Sequence, residues 1–296
     1  MAGDLILVTG ANGRVGSRVV QALLDRHLRP RVLVRDVTAA KRRFGDRVDV
    51  CIADLLDADG VGRAMEGVKS VFLCSPVHPQ QIRHQGHVVQ AAKRNDSYVV
   101  KLSGLATFSG SYVDSGAWHA ETEVAIQEAG LEYTFLHPYF FVQNLLFQLR
   151  GAKQSGVIRS AVGDAAIAMV DVSDIAEVAA RLVLDPSLAP GQTLPLTDRV
   201  AYTYNEVALI LTELLGQNIA YEQQTDEEVE RNLRRAGQPD WHIRILLQFN
   251  RAFREGLGSR TTSAVTNILK RPPTTLKDAL RLALRRVPDG GDPFPS

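Results

Sequence analysis

The apolar residues of this chain gather into short, almost unbroken runs. Between residues 5 and 137 such runs occupy 5–9, 31–35, 48–52, 70–74, 98–102 and 133–136. Runs of Val, Ile and Leu without polar alternation suit parallel strands covered on both faces. Stretches with helical character lie between them, among them 15–27, 81–95 and 121–129. Repeated strand–helix–strand units of this length predict an α/β fold with a doubly wound, mostly parallel Rossmann sheet. After Pro138 the rhythm changes. A helix over 142–153, β-like pieces at 157–160 and 166–170, a helix capped by Ser173 running to 184, and a strand at 192–196 follow. Thr203 with Glu206, and Thr225 with Glu228, have the spacing of capping boxes, and the remainder reads as mostly helical, ending in a helix at 275–284.

The expected division is a discontinuous Rossmann domain, 1–155 plus 172–200, and a smaller, mainly helical subdomain, 156–171 plus 201–286. The last ten residues, 287–296, hold three prolines and two glycines and are expected to be disordered. With 45% apolar residues in 296, the chain has ample material for a core. A net charge of +1 argues against a nucleic-acid binder. No apolar run approaches the roughly 20 residues of a membrane helix, and no signal-peptide pattern is present, so a cytoplasmic protein is expected. Cys51 and Cys74 sit in strand runs and read as free, buried thiols.

The strongest motif is Thr9-Gly10-Ala11-Asn12-Gly13-Arg14-Val15-Gly16, set between a strand and a helix. Gly10 lets the chain turn, Gly13 lets backbone approach a pyrophosphate, and Gly16 lets the helix pack closely. The helix start then offers free N–H groups to phosphate. A turn that needs its glycines only for packing is the plainer reading. Arg35 and Asp36 end the second strand. An arginine there pairs with the 2′-phosphate of NADP(H), an acidic residue with the ribose of NAD, and spacing alone does not choose. Arg14, Lys41, Arg42 and Arg43 tilt the surroundings towards phosphate. Asp54 and Leu55 fall beside the expected adenine position, and Ser75 and Pro76 on a loop near the ribose or phosphates.

These residues, with Trp118-His119-Ala120-Glu121-Thr122-Glu123, Gly130-Leu131-Glu132-Tyr133-Thr134, Leu136-His137-Pro138 through Asn144, and Asp171 through Ala176, resemble the NmrA-like branch of the atypical short-chain dehydrogenases/reductases. The resemblance covers most of the chain. It implies an NADP(H)-binding Rossmann protein, with Arg35 at the 2′-phosphate and Ser103 at the position that hydrogen-bonds substrate carbonyls. It also implies one of several activities: quinone reduction, reduction of isoflavone-like compounds, or redox-sensing regulation. This chain departs from the pattern at His137, where the family carries Arg. The Tyr-x-x-x-Lys pair of ordinary short-chain reductases is also missing, with Ser115 and His119 in its place. A serine is a poor proton donor beside a phenol with a neighbouring ammonium, so a reductase built on this chain must find its proton elsewhere.

The expected catalytic residues are therefore Ser103 and His119. Phe108, Trp118, Tyr139, Phe140 and Phe141 suggest a flat, hydrophobic substrate, although each alone suits a core. His78, His84 and His87 invite a metal, but no acidic or thiol ligand lies near them in sequence, and none is expected. The leading expectation is an NADPH-dependent oxidoreductase that reduces a quinone, enone or carbonyl of an aromatic or polyketide-like molecule. A non-catalytic NADP(H) sensor acting through a protein partner or homodimer, and a Rossmann enzyme for a non-redox step such as isomerisation, are the alternatives.

Overall fold

The computed structural model describes residues 4–286; the tail 287–296 and the first three residues lie outside the described residues. The first half alternates as the apolar runs predict: β1 Leu5–Thr9, α1 Gly16–Leu24, β2 Arg31–Val34, α2 Val37–Phe44, β3 Asp49–Ile52, α3 Ala58–Met65, β4 Val68–Leu73, α4 Gln81–Asn95, β5 Tyr98–Leu102, α5 Asp114–Glu128 and β6 Tyr133–Pro138. Then come β7 Phe140–Phe141, α6 Leu146–Ser155, β8 Val157–Ser160, β9 Ile167–Val170, α7 Val172–Leu184, β10 Gln192–Leu196, β11 Ala201–Tyr202 and α8 Tyr204–Leu215. The chain closes with β12 Ala220–Gln223, α9 Asp226–Arg235, α10 Asp240–Arg254, α11 Ala264–Leu269 and α12 Leu276–Arg286.

Seven strands form the main sheet in the order β10-β6-β5-β4-β1-β2-β3, every pair parallel. The chain enters at β1, walks out through β2 to β3, then crosses back to β4 and walks the other way. The reversal opens a crevice beyond the carboxyl ends of β1 and β4, where folds of this kind bind ligands. Alternate residues feed opposite faces. Ile6 and Val8 join the core under α1 and α7, whereas Leu7 joins the core under α3 and α4. On β5, Val100 and Leu102 face the first core and Val99 the second. The same alternation turns Lys101 to the side of Val99, and its side chain is fully buried.

A separate core joins residues 105–113, α6, β9, α8, α10 and α12. Two small sheets serve it, β11-β9-β7 and β12-β8. Leu146, Leu149 and Ala152 of α6 belong to this core, whereas Val265, Ile268 and Leu269 of α11 belong to the sheet.

Several elements differ from expectation for identifiable reasons. Helix α5 begins at Asp114, not 121, because Gly116 is there for close packing rather than as a breaker: a Cβ on it would lie 2.2 Å from the Ala106 carbonyl oxygen. The segment expected as one helix over 142–153 opens with a 3-10 turn at Val142–Leu145 before α6. Ser173 does not cap α7. Asp171 does, its Oδ1 accepting the Ser173 N–H at 2.7 Å while Oδ2 accepts from Gln143 Nε2. Beyond residue 200 the chain is less helical than expected, because β11 and β12 pair with β9 and β8. Both expected capping boxes are present.

Asp174 of α7 fastens the linker before α12. Its carboxylate is wholly buried, accepting from Arg271 Nη2 at 2.8 Å and from the Thr274 N–H at 2.6 Å. Replacing Asp174 by Ala removes a charged acceptor and strands a backbone donor. Chemical denaturation of Asp174→Ala should show a loss of about 1.5–3 kcal/mol; a change within error would show that the linker is held by packing alone.

Candidate active site

At the floor of the crevice one hydroxyl ties the ends of β1 and β4 together. Thr9 Oγ1 donates towards the Cys74 carbonyl at 2.7 Å and accepts the Cys74 N–H at 2.8 Å. Gly10 turns out of the strand with φ +62°, a conformation that a side chain resists. A Cβ on Gly16 would sit 2.2 Å from the Gly10 carbonyl oxygen, so only glycine lets α1 start this close. Val15 precedes α1 without a side-chain cap, leaving the helix start open to a ligand. Gly13 is exposed at the turn. Asn12 donates through Nδ2 to the Asp36 carbonyl, and its Oδ1 is buried with no partner among the described residues.

The end of β2 separates the two rival residues. Asp36 turns its carboxylate onto the Thr38 and Ala39 N–H groups as the cap of α2. Arg35 stays on the surface, 76% exposed, with Nη1 3.5 Å from Asp54 Oδ2. Arg14 points elsewhere: it donates to Asn144 Oδ1 at 3.2 Å and lies over the Phe147 ring. Leu55 offers its carbonyl to the His87 ring at 2.8 Å, and Ser75 Oγ accepts from buried Gln85 at 2.8 Å beside exposed Pro76. An orphaned amide oxygen, a turn that excludes Cβ atoms, an uncapped helix start and an exposed guanidinium fit a phosphorylated dinucleotide such as NADP(H).

Beyond the end of β5 lies a polar cluster. Lys101 Nζ donates to Ser103 Oγ at 2.6 Å and reaches His119 Nδ1 at 2.9 Å. Ser103 donates in turn to Glu123 Oε1, which also accepts from His137 Nε2 at 2.8 Å. Gln81 Nε2 approaches the same His119 nitrogen at 3.0 Å. His119 and Glu123 are one helical turn apart on α5, so one face of the helix delivers both. Burial, followed by the Lys101 and His137 charges, drives the His119 imidazolium well below its ordinary range, so at neutral pH the ring is uncharged. Burial likewise lowers the Lys101 ammonium to about 7, with Glu123 pulling it back up. Ser115, one turn before His119, is buried in the same face.

Sequence reasoning singled out Ser103 and His119 and missed Lys101, Glu123, Gln81 and His137 as their partners. The signal for Lys101 was present: a lysine inside an apolar strand that has neighbours on both sides must be buried and must find acceptors. The aromatics divide. Phe140 meets Phe253 edge-on at 5.8 Å in the separate core of α6, α8, α10 and α12, where Tyr139 also packs. Phe141 packs against the sheet core, Trp118 is half-buried and Phe108 is largely exposed. Trp241 of α10, which was not foreseen, meets the His78 ring on the loop after β4.

The histidines of that loop and α4 have separate tasks. His78 and His84 stack, while His87 turns to Leu55. Among the described residues no three His, Cys, Asp or Glu side chains gather as a ligand set, and both cysteines are free. No helix among those residues is long and apolar enough to cross a membrane.

Known proteins share this fold. An NAD(P)H azoreductase from Xenophilus azovorans is 30% identical over 237 residues, spanning 80% of this chain and 82% of its own. The structure of an NADPH-dependent quinone oxidoreductase from Escherichia coli, complexed with NADPH, matches with a TM-score of 0.86 at 24% identity, covering 95% of this chain and all of its own (100%). A triphenylmethane reductase from Citrobacter sp., complexed with NADP(H), matches with a TM-score of 0.83 at 26% identity, over 94% of this chain and 99% of its own. These distant relatives are NAD(P)H-dependent reductases by name or by bound cofactor. Residues 2–277 match the NmrA-like family, and the chain belongs to it.

Proposed function

We propose that the protein is an NADPH-dependent reductase whose acceptor is a quinone, an enone or another conjugated group of a flat, hydrophobic molecule. The observation that carries this reading is the buried cluster of Lys101, Ser103 and His119 at the end of β5, two strands from the glycine turn of β1. The names of relatives, an azoreductase, a triphenylmethane reductase and a quinone oxidoreductase, support the substrate class.

NADP(H), when bound, supplies the hydride. Gly10, Asn12, Gly13, Val15 and Gly16 would hold the pyrophosphate and adjoining ribose, and Arg35 the 2′-phosphate, exchanging part of its pairing with Asp54. Arg14 would stiffen the turn through Asn144. Asp54 and Leu55 would flank the adenine, and Ser75 and Pro76 the other ribose. Ser103 polarises a substrate oxygen by turning its hydroxyl from Glu123 to that oxygen, while the Lys101 ammonium stays behind it as donor. His119 offers the proton on Nε2. Phe108, Trp118 and Tyr139, backed by Phe140 and Phe141, would give the acceptor its apolar wall.

Isothermal titration should show tighter binding of NADPH than of NADH, and Arg35→Ala should cost NADPH about 1.5–3 kcal/mol while sparing NADH. Equal affinities in the parent protein would defeat the phosphate reading. A panel of naphthoquinones, aromatic enones and azo dyes should oxidise NADPH at ordinary enzymatic rates. Failure of every acceptor, together with unequal affinities for NADP+ and NADPH, would point to a sensor instead.

A further inference from the structure

Lys101 has a position that reduction alone does not explain. Its ammonium lies wholly inside the sheet, with Cys74 beside it just past β4, Ser103 just past its own strand, and His119 and Glu123 facing it from α5. His137 of β6 closes the far side of Glu123. Cys74 brings no charge, because burial pushes its thiol up to about 12.

The Lys101 ammonium sets the tautomer of His119. It lies 2.9 Å from Nδ1 and can only donate, while the Gln81 side-chain amide lies 3.0 Å from the same nitrogen. The Nδ1 atom therefore carries the lone pair, and the proton sits on Nε2, across the ring from Lys101. A ring held in this way gives a proton from one edge and takes one at the other without ever becoming charged.

We propose that Lys101 and His119 form a proton relay to the reduced substrate, with Lys101 as the store and His119 as the carrier. The proposal rests on the reductase reading above. As the acceptor gains its hydride, the anion it forms takes the Nε2 proton of His119. Lys101 Nζ passes a proton to His119 Nδ1, so the ring ends neutral in its other tautomer and the lysine ends as a neutral amine. The acceptor has then gained one hydride and one proton; after product leaves, a solvent proton taken at His119 Nε2 sends the Nδ1 proton back to Lys101, which restores both groups. Lys101 touches no reacting atom; it is a positioning and supplying residue that acts through His119. An ammonium lowered to about 7 gives its proton readily at neutral pH, and an imidazole that resists charging passes the proton on rather than keeping it. A lysine from the sheet, placed behind a helix histidine, thus does what the absent Tyr-x-x-x-Lys pair does elsewhere.

The sign of the pH effect follows. Protonated Lys101 is the active form, so turnover falls as pH rises through about 7. The first test follows NADPH oxidation by 2-methyl-1,4-naphthoquinone from pH 5.5 to 9.5 in the parent protein, Lys101→Met and His119→Gln. The parent should lose rate above about pH 7. Both variants should lose that limb, and at pH 6 should run at least about tenfold slower than the parent, with NADPH affinity kept. A uniform loss with the limb intact would mean that Lys101 is merely structural, and would overturn the relay while leaving the reductase reading standing. The second test needs neither cofactor nor acceptor: 15N resonances of His119 in histidine-labelled protein, assigned with His119→Gln. The Nδ1 signal should move with a midpoint near 7 as the parent is titrated, and should stay still in Lys101→Met. Joint movement of both ring nitrogens would show that His119 itself charges, and would overturn the relay. If Lys101→Met does not fold, the parent titration and the His119→Gln profile decide. An absence of turnover with every acceptor, beside an Nδ1 titration as expected, would sink the reductase reading and the relay's catalytic role with it.

Discussion

An ammonium placed inside a parallel sheet must be given acceptors on the spot, because an unpaired buried charge costs several kcal/mol. Around Lys101 that requirement recruits the strand end, which supplies Ser103, and α5, which supplies His119 and Glu123. It also sets how near α5 must come. The helix reaches the sheet because Gly116 lies against the Ala106 carbonyl, where a Cβ would meet it at 2.2 Å. The loop that offers that carbonyl holds Ala106 at φ +62°, a conformation that costs a non-glycine residue about 1–2 kcal/mol. One buried charge thus accounts for a close helix contact and a constrained loop that would otherwise look unrelated.

The crevice and the cluster are two solutions of one topology. The strand order reverses between β1 and β4, and β5 is the next strand along. A dinucleotide held at the glycine turn, as proposed, would extend past β4 towards the end of β5. Thr9, tying β1 to Cys74, keeps the two strand ends in register at the point where that ligand would cross.

The alternation of apolar runs was enough to predict the sheet, because strands buried on both faces leave a plain compositional trace. The site was less legible, and unevenly so. The glycine turn could be read since each glycine answers a steric need within eight residues. Spacing alone did not separate Arg35 from Asp36, and the capping of α2 by Asp36 is visible only in three dimensions. Lys101 was passed over as one polar residue in an apolar run. Its partners lie 2, 18 and 22 residues further along, at Ser103, His119 and Glu123, and no local pattern joins them. The start of α5 was hidden for a related reason: Asp114-Ser115-Gly116 has loop composition, yet the glycine serves packing and the aspartate serves a distant helix.

That distant helix gives α5 its place in the order of assembly. Val113 offers the helix no side-chain cap. Instead Gln248 of α10 accepts the Asp114 N–H at 3.0 Å and donates back to the Asp114 carboxylate, while Arg244 pairs with the same side chain at 2.7 Å. The partners are separated by 130 and 134 residues. On a growing polypeptide the sheet can close long before α10 has been synthesised, so the first turn of the helix that carries His119 is secured late, by chain made near the end. The last third of the protein, which contributes no strand to the main sheet, is in this sense a clamp on chemistry encoded in the first half.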